Sequence, residues 1–237
     1  MIFKTKIGTD NEAKRINWIE KALLTIPACA RILDAGAGEL KYKKFCSHLE
    51  YVSQDFCQYE GKGDEKGLQT EKWDTAQIDI VSDIVAIPEK DKSFDAIMCI
   101  EVFEHIPEPI KAIKEFYRLL KRGGYLILTA PFCSLTHFAP YHFYSGYNRY
   151  FYEHHLKEAG FEIMEISPNG NYFSYLAQEI RRIPYCANRY ASKKVSRFTR
   201  LIIKILLYIL ENIEKNDKNS TEFLCFGYHV LARKNKD

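Results

Sequence analysis

The sequence predicts an α/β protein with a doubly wound, mostly parallel sheet. Between residues 11 and 166, short apolar runs alternate with segments of helical periodicity. The first predicted strand, Arg31 to Ala35, runs into a glycine turn at Gly36 and Gly38. A glycine turn at the carboxyl end of a parallel strand is where folds of this class hold a nucleotide-like ligand. These observations predict the fold class and place a candidate site at the end of the first strand.

The elements of the first half follow from local pattern. A helix is predicted from Asn11 to Leu24, because apolar residues recur there at helical spacing after Asp10, which can cap it. Gly36 and Gly38 allow a tight turn, and a helix start just after it would offer unused N–H donors. The other predictions for this half are a helix at 40–49, strands at 51–54 and 78–81, and a polar loop at 58–77.

The second half begins with a near-continuous apolar run, Phe94 to Ile100, as expected of a strand covered on both faces. An amphipathic helix is predicted from Pro107 to Leu120, with 121–124 as its basic last turn and glycine cap. The remaining predictions are a strand at 125–129, an aromatic segment at 132–152, a helix to 159, a strand at 161–166, a linker with helical pieces at 167–196, an apolar helix at 198–213 and a last strand at 222–232.

Composition narrows the function classes. With 237 residues, 46% hydrophobic and 27% charged, the chain is predicted to form one globular domain, 1–237, with a small insertion. The 34 basic and 31 acidic side chains nearly cancel, which argues against a nucleic-acid partner. Residues 1–6 begin no apolar signal segment, so a cytoplasmic location is expected. The seven cysteines include no C-x-x-C pair, which argues against a disulfide framework or a zinc site.

Asp55 ends the second strand, 19 positions after Gly36, and its carboxylate is expected to face the same crevice as the glycine turn. An acid there accepts hydrogen bonds from a ribose diol. Enzymes that use NAD and those that use S-adenosylmethionine share this arrangement. A third glycine would separate the two classes: the dinucleotide pattern G-x-G-x-x-G needs it at position 41, and the methyltransferase pattern G-x-G-x-G needs it at position 40. The chain has Lys41 and Leu40 at these positions. The turn alone therefore leaves both interpretations open.

From about residue 30 to residue 167, the chain resembles the class I S-adenosylmethionine-dependent methyltransferases. The segments that carry the resemblance are 32–38, 51–55, 82–84, 93–97 followed by the Glu-Val-Phe-Glu-His-Ile run 101–106, 119–124 and 160–162. The family implies a Rossmann-like, seven-stranded sheet with helices on both faces and an antiparallel last strand. It also implies S-adenosylmethionine as the cofactor.

The resemblance assigns roles to particular residues. Asp34 and the backbone of the turn would hold the methionine end of the cofactor, Asp55 the ribose, and Asp83 the adenine amino group. Simple strand-end caps are the alternative for Asp34 and Asp55, and a surface loop for Asp83. The complete set of implied cofactor-binding residues is Asp34, Ala35, Gly36, Ala37, Gly38, Asp55, Phe56, Asp83, Ile84 and Glu101.

The segment 136–144, rich in aromatic residues and histidine, resembles the subgroup associated with bacterial surface-glycan methylation. His137 or His142 could deprotonate an attacking hydroxyl, and His105 is the third catalytic candidate. The alternatives are an aromatic plug over the cofactor and, for His105, a core histidine. No metal site is expected, because the spacing of the acidic residues here does not match a metal-ligand pattern.

We therefore expect a methyltransferase acting on a small polar acceptor, most simply an oxygen of a sugar-containing metabolite. An N-methyl acceptor, a quinone-like or other lipid acceptor, a non-catalytic S-adenosylmethionine-binding protein and, more distantly, a nicotinamide dehydrogenase are the alternatives. Residues 131–152 and 167–220 are expected to cover the acceptor side. Segment 181–210 has eight basic and no acidic residues, so it could contact the inner membrane surface or pack in a homodimer.

Overall fold

The computed structural model describes residues 5–235. The first four residues, part of the segment from which a cytoplasmic location was predicted, lie outside this range. The described residues form two compact units, one of residues 5–16 and 168–226 and the other of residues 17–167 and 227–235. The candidate site lies wholly within the second unit.

The second unit is built on a seven-stranded sheet. The strands are β1 Arg31–Ala35, β2 Glu50–Asp55, β3 Ile80–Val81, β4 Phe94–Ile100, β5 Leu120–Pro131, β6 Phe161–Asn169 and β7 Gly227–Lys234. Their order is β3-β2-β1-β4-β5-β7-β6. Strands β1 to β5 pair in parallel, and β7 pairs antiparallel with β5. The predicted mostly parallel sheet with an antiparallel last strand is confirmed.

The helices are α1 Asn11–Leu24, α2 Pro109–Leu119, α3 Arg149–Glu158, α4 Tyr172–Ala191 and α5 Arg197–Glu214. Strands β1 and β4 run through the centre of the sheet, and their apolar side chains are almost wholly buried. Helix α2 buries the face that carries Ala112, Ile113, Phe116 and Leu119. The 3.6-residue spacing of its apolar side chains therefore explains both its helical form and its packing.

The helix predicted at 40–49 is wrong. This segment consists of turns and one short 3-10 helix, Lys43–Phe45. Gly36, Gly38 and Leu40 all have positive φ, +78°, +51° and +59°. A right-handed helix cannot run through such residues, because its φ is near −60°. Leucine rarely adopts this conformation, so the residue pattern did not reveal it.

Two further predictions at element boundaries are corrected. Residues 121–124 belong to strand β5 and do not close the preceding helix, which ends at Leu119. The linker predicted at 167–196 is largely one helix, α4, whose N-cap Asn171 accepts a hydrogen bond from the Ser174 N–H. Pro184 lies inside this helix, although a proline in a helix interior removes a backbone hydrogen-bond donor and usually disfavours a continuous helix.

In the first unit, α4 and α5 pack with residues 5–16. Their shared apolar cluster consists of Ile7, Ala177, Ile180, Leu207 and Leu210, with Phe173, Leu176 and Ile203 packed against it. No helix among the described residues is long and apolar enough to cross a bilayer.

Candidate functional site

The glycine turn after β1 is closely packed. A Cβ on Gly36 would lie 2.6 Å from the Val102 side chain, and one on Gly38 would lie 2.5 Å from the Trp73 ring. Real Cβ atoms do not approach other heavy atoms so closely. Both positions therefore need glycine for space as well as for their positive φ.

The N–H donors of the turn are used inside the protein. Gly36 and Ala37 donate to the backbone oxygen of Gln54, at 2.8 and 2.9 Å, and Gly38 donates to Asp55 Oδ2 at 3.0 Å. The expectation of unused donors at a helix start is therefore wrong here, because no α-helix begins after the turn. The turn is instead fixed to the end of the neighbouring strand β2.

Asp55 and Asp34 lie on neighbouring strands and are both buried. Asp55 also accepts from the Cys57 N–H at 2.9 Å, so each of its carboxylate oxygens has a backbone donor. A carboxylate oxygen has two lone pairs, so Asp55 can still accept hydrogen bonds from a ribose diol. Asp34 accepts a 2.7 Å hydrogen bond from the Tyr51 hydroxyl. Burial raises the pKa of Asp34 to about 7, although the Tyr51 hydrogen bond opposes this shift and the charge of Asp55 adds to it.

Asp83 and Ile84 follow β3, which pairs with the end of β2. Asp83 is exposed, and its carboxylate accepts from the Val85 N–H at 3.1 Å, while Ile84 is buried. Because parallel strands end at one edge of a sheet, Asp83 lies at the same edge as Asp55. Its loop geometry suits either the adenine contact or a simple turn.

Glu101 directly follows β4 and has a φ of +56°. Its carboxylate accepts a 2.8 Å hydrogen bond from the Thr129 hydroxyl on β5, and its N–H donates to the Thr129 carbonyl. A positive φ in a non-glycine residue marks a backbone held by its surroundings. Both contacts hold Glu101 at the edge of the sheet, next to β1, the strand that leads into the glycine turn.

The three candidate catalytic histidines lie together around Glu104. The ring centroids of His105 and His137 are 4.6 Å apart, and His142 lies 4.9 Å from His137. Glu104 is 1% exposed, and Glu104 Oε1 is 3.7 Å from His137 Nε2. Chain positions 105 and 137 are far apart in sequence, so the sequence did not indicate that they meet.

Burial and neighbouring charges shift the pKa values of the three histidines in different directions. Burial lowers the pKa of His105 to about 3, and the neighbouring His137 adds to this effect. Burial alone would also lower the pKa of His137, but the Glu104 carboxylate raises it above its usual value. Burial and then the charge of His137 lower the pKa of His142. His105 and His142 are therefore favoured in their neutral forms.

An aromatic cluster covers the glycine turn. The Trp73 ring contacts Phe138 at 5.1 Å between centroids, and Tyr59 contacts Phe138 at 4.5 Å. Phe56 contacts Tyr141 edge-on at 5.0 Å. Tyr59 and Trp73 were missed by the sequence analysis, because they lie in the polar segment 58–77. Two large aromatic residues in an otherwise polar loop were the signal that could have revealed them.

This cover is made of two segments that are tied together. The Leu68 N–H donates to the Thr136 carbonyl and the Phe138 N–H donates to the Leu68 carbonyl, both at 3.0 Å. The Asp64 N–H donates to the Ala139 carbonyl at 2.9 Å. The predicted cover at 131–152 is therefore joined to the loop 58–77, whereas the predicted cover at 167–220 belongs to the first unit and stays a prediction.

A cleft of about 480 Å³ lies at the start of α2. It is lined by Pro107 to Lys111, Tyr144, Gly146, Tyr147, Asn148 and Phe151. None of the residues predicted to bind the cofactor lines it. We therefore place the candidate site at the glycine turn and at the histidine group, formed by His105, His137 and His142 around Glu104. We do not place it in this cleft.

Comparison with known proteins finds similarity in the central part of the chain. Residues 33–128 match the profile of a family described as a methyltransferase domain. A ubiquinone biosynthesis O-methyltransferase from Xanthomonas oryzae pv. oryzae (strain PXO99A) is 40% identical over 63 residues, which is 27% of this chain and 26% of that protein. The chain thus matches about a quarter of the length of this curated relative.

Solved structures share the fold at low sequence identity. The [4+2]-cyclase SpnF has a TM-score of 0.58 and 17% identity, covering 99% of this chain and 85% of its own. A SAM-dependent methyltransferase from Archaeoglobus fulgidus has a TM-score of 0.56 and 18% identity, covering 94% of each chain. The match of residues 33–128 to the methyltransferase-domain profile supports the predicted enzyme class and S-adenosylmethionine as its cofactor.

Proposed function

We propose that this chain transfers the methyl group of S-adenosylmethionine to an oxygen of a small polar, sugar-containing acceptor. The methyltransferase domain supports the reaction, and the histidine group around Glu104 supports an oxygen acceptor. A hydroxyl must lose its proton as it attacks the methyl carbon, so a nearby base accelerates the transfer, by roughly 10² to 10⁴-fold.

The cofactor would lie at the glycine turn, with Asp34 near its methionine end and Asp55 at its ribose. Asp83, Ile84 and Phe56 would surround the adenine and ribose, and Glu101 would lie near the methionyl group. A continuous path of contacts supports this placement. The Trp73 ring packs at Gly38 and contacts Phe138, and Phe138 in turn contacts His105 at 5.1 Å.

Methyl transfer from a sulfonium is an in-line displacement, so the protein's main task is to orient donor and acceptor. Such orientation lowers a barrier by roughly 7–11 kcal/mol. The aromatic rings of the cover suit this task, because they stack on a sugar ring and exclude water. His142, favoured as the neutral form and in contact with the Ser134 hydroxyl at 3.1 Å, is then a candidate base along with His137 and His105.

The direct test is turnover with labelled cofactor. The full chain is incubated with methyl-labelled S-adenosylmethionine and, separately, a nucleotide sugar mixture, a quinol and a polar amine. We expect labelled O-methyl sugar products by mass spectrometry. Methylation of the amine alone would refute the oxygen acceptor. Cofactor binding without formation of S-adenosylhomocysteine from any of them would favour the rival proposal, a non-catalytic S-adenosylmethionine-binding protein.

A quinone-like lipid is the second candidate acceptor. The local similarity to ubiquinone biosynthesis O-methyltransferases favours it, as does the surface of α5. This helix exposes large apolar side chains among basic ones. The exposed apolar residues are Phe198, Leu201, Ile202, Ile205, Leu206, Tyr208, Ile209 and Ile213.

We infer that α5 rests on an anionic membrane surface, since Arg197, Arg200 and Lys204 are exposed on the same helix and suit anionic headgroups. Flotation with vesicles of phosphatidylcholine and phosphatidylglycerol at low salt tests this. We expect binding that Ile202→Ser weakens and that Leu24→Ser, at a more exposed apolar residue outside α5, does not. If the protein does not float and light scattering gives a dimer that Ile202→Ser dissociates, a homodimer surface replaces the membrane proposal.

A further inference from the structure

Glu104, His105 and His137 present three metal-ligating atoms to one point. The ligand atoms of these residues all lie within 4.8 Å of one another. Glu104 Oε1 is 3.8 Å from His105 Nε2 and 3.7 Å from His137 Nε2. These separations are too long for hydrogen bonds. Ligands about 2.0–2.2 Å from one metal ion are roughly 3.0–3.6 Å apart, so a small approach of the side chains would complete a site.

Both imidazoles are already oriented for this role. The Nδ1–H of His105 donates to the Tyr141 carbonyl, and the Nδ1–H of His137 donates to the Leu135 carbonyl at 2.8 Å. A backbone carbonyl only accepts, so in the neutral rings the proton is on Nδ1 and the Nε2 lone pair faces Glu104. Metal-binding histidines in proteins are oriented in this way, through a hydrogen bond from the other ring nitrogen.

The burial of the Glu104 carboxylate is compensated at only one of its two oxygens, Oε1, which lies 3.7 Å from His137 Nε2. The Glu104 side chain is 2% exposed, and Oε2 has no hydrogen-bond partner among the described residues. His105 Nε2 is buried without a hydrogen-bond partner in the same way. An unpaired carboxylate is costly to bury. A divalent cation would satisfy both atoms together, whereas a shared proton between Glu104 and His137 leaves His105 Nε2 without a partner.

A second group of the same residue types does not have these properties. His154, His155 and Glu158 also place ligand atoms close together on α3. His155 Nδ1 is also buried without a hydrogen-bond partner, but the His154 and Glu158 side chains are 72% and 62% exposed, so water satisfies those two. This group serves as the matched control.

We propose that Glu104, His105 and His137 bind one divalent transition-metal ion through one carboxylate oxygen and two Nε2 atoms. Two imidazoles and a carboxylate with open positions are the donor set of many catalytic zinc sites, and imidazole favours transition metals over Mg²⁺. No metal was expected from the sequence, because the spacing of its acidic residues matched no metal-ligand pattern. This donor set instead joins two adjacent residues to a third from a distant segment.

The site also specifies the acceptor, in a way that rests on the proposed function. A metal ion with open positions binds an acceptor that carries two adjacent oxygens, as a sugar diol or a catechol does. The metal would lower the pKa of the bound hydroxyl, whose proton leaves to His142 or solvent. The oxygen then bonds to the methyl carbon as the carbon–sulfur bond breaks, and the electron pair of that bond stays on sulfur, giving S-adenosylhomocysteine.

Calorimetry on the full chain, stripped with chelator and without cofactor, tests the metal site independently of catalysis. Zn²⁺ and Mg²⁺ are the probes. We expect one Zn²⁺ per chain, bound more tightly than Mg²⁺. Loss of an outer hydrogen-bond partner weakens metal binding about 10 to 100-fold, so loss of a ligand in Glu104→Gln or His137→Ala should weaken it by at least the upper value. His154→Ala should leave it unchanged.

Circular dichroism establishes that each variant is folded. If His137→Ala does not fold, Glu104→Gln still tests the site, because glutamine keeps the shape of the side chain. The proposal is overturned if no Zn²⁺ binds, if Mg²⁺ binds more tightly, or if only His154→Ala weakens binding. Binding of S-adenosylmethionine is measured in a separate titration. In the wild type, absence of zinc binding with intact cofactor binding refutes the metal site alone, and zinc binding without cofactor binding refutes the proposed function alone.

Discussion

Substitution of Asp34 by asparagine should change how stability depends on pH. Burial raises the pKa of Asp34 to about 7 from a reference value of 3.8, and the side chain is fully inside the protein. Because the folded state holds this proton more tightly than the unfolded chain, ionisation of Asp34 opposes folding. The wild type therefore loses stability as the pH rises from 3.8 to 7, and the loss is complete above pH 7.

The magnitude follows from the shift. About three pKa units at 1.36 kcal/mol each give about 4 kcal/mol at pH 8, of which roughly 2.5 kcal/mol develops between pH 5 and pH 8. The asparagine side chain of the Asp34→Asn variant carries no charge, and its carbonyl oxygen can keep the hydrogen bond from the Tyr51 hydroxyl. Its amide N–H groups lack an assured acceptor, a cost of about 1–3 kcal/mol that does not vary with pH.

The free energy of unfolding is measured by urea titration at pH 5, 6, 7 and 8 for both proteins. The variant minus wild-type difference should rise by roughly 2.5 kcal/mol over this range in favour of the variant. Tyr51→Phe is the informative control. It removes the hydrogen bond that lowers the pKa of Asp34, so its stability should fall over a range shifted to higher pH. A difference between Asp34→Asn and wild type that stays constant from pH 5 to 8 would refute the reasoning.

Four other substitutions test the candidate site. Asp55→Ala should weaken S-adenosylmethionine binding by about 10 to 100-fold in calorimetry, because it removes a charged acceptor from the ribose; an unchanged dissociation constant in a folded variant argues against the assigned crevice. His137→Ala and His142→Ala should lower turnover by roughly 10²-fold or more while cofactor affinity is retained; full activity in both would leave positioning as the main catalytic effect. Gly38→Ala should lower the melting temperature, since its Cβ would lie 2.5 Å from Trp73; Trp73→Ala added to it should restore part of the loss, and no recovery would mean that the positive φ alone causes the strain.

The sequence predicted the sheet well because its strands are buried on both faces and read as apolar runs. Phe94–Ile100, for example, was predicted with its observed bounds. Predictions failed where backbone conformation departs from residue preference. Leu40, at the start of the helix predicted at 40–49, has a positive φ that this helix would not allow, and the helix α4 continues through Pro184.

The site was predicted in its parts but not in its assembly. Gly36, Gly38 and Asp55 were placed correctly at one edge of the sheet because parallel strands end together. The meeting of His105 with His137 depends on how the chain folds back after β5, and local periodicity carries no information about such a return. For the same reason the contact of Trp73 with the glycine turn was not foreseen.

The backbone bonds that join the loop 58–77 to residues 136–139 have a consequence for turnover. Release of one segment alone would break the hydrogen bonds of the Leu68 and Phe138 N–H groups, at a net cost of about 0.5–1.5 kcal/mol for each. The two segments should therefore swing as one body. Trp73 lies on one of these segments, and Phe138, which contacts His105, lies on the other. Release of S-adenosylhomocysteine and entry of the next acceptor would therefore depend on the same opening motion, and its rate would limit both.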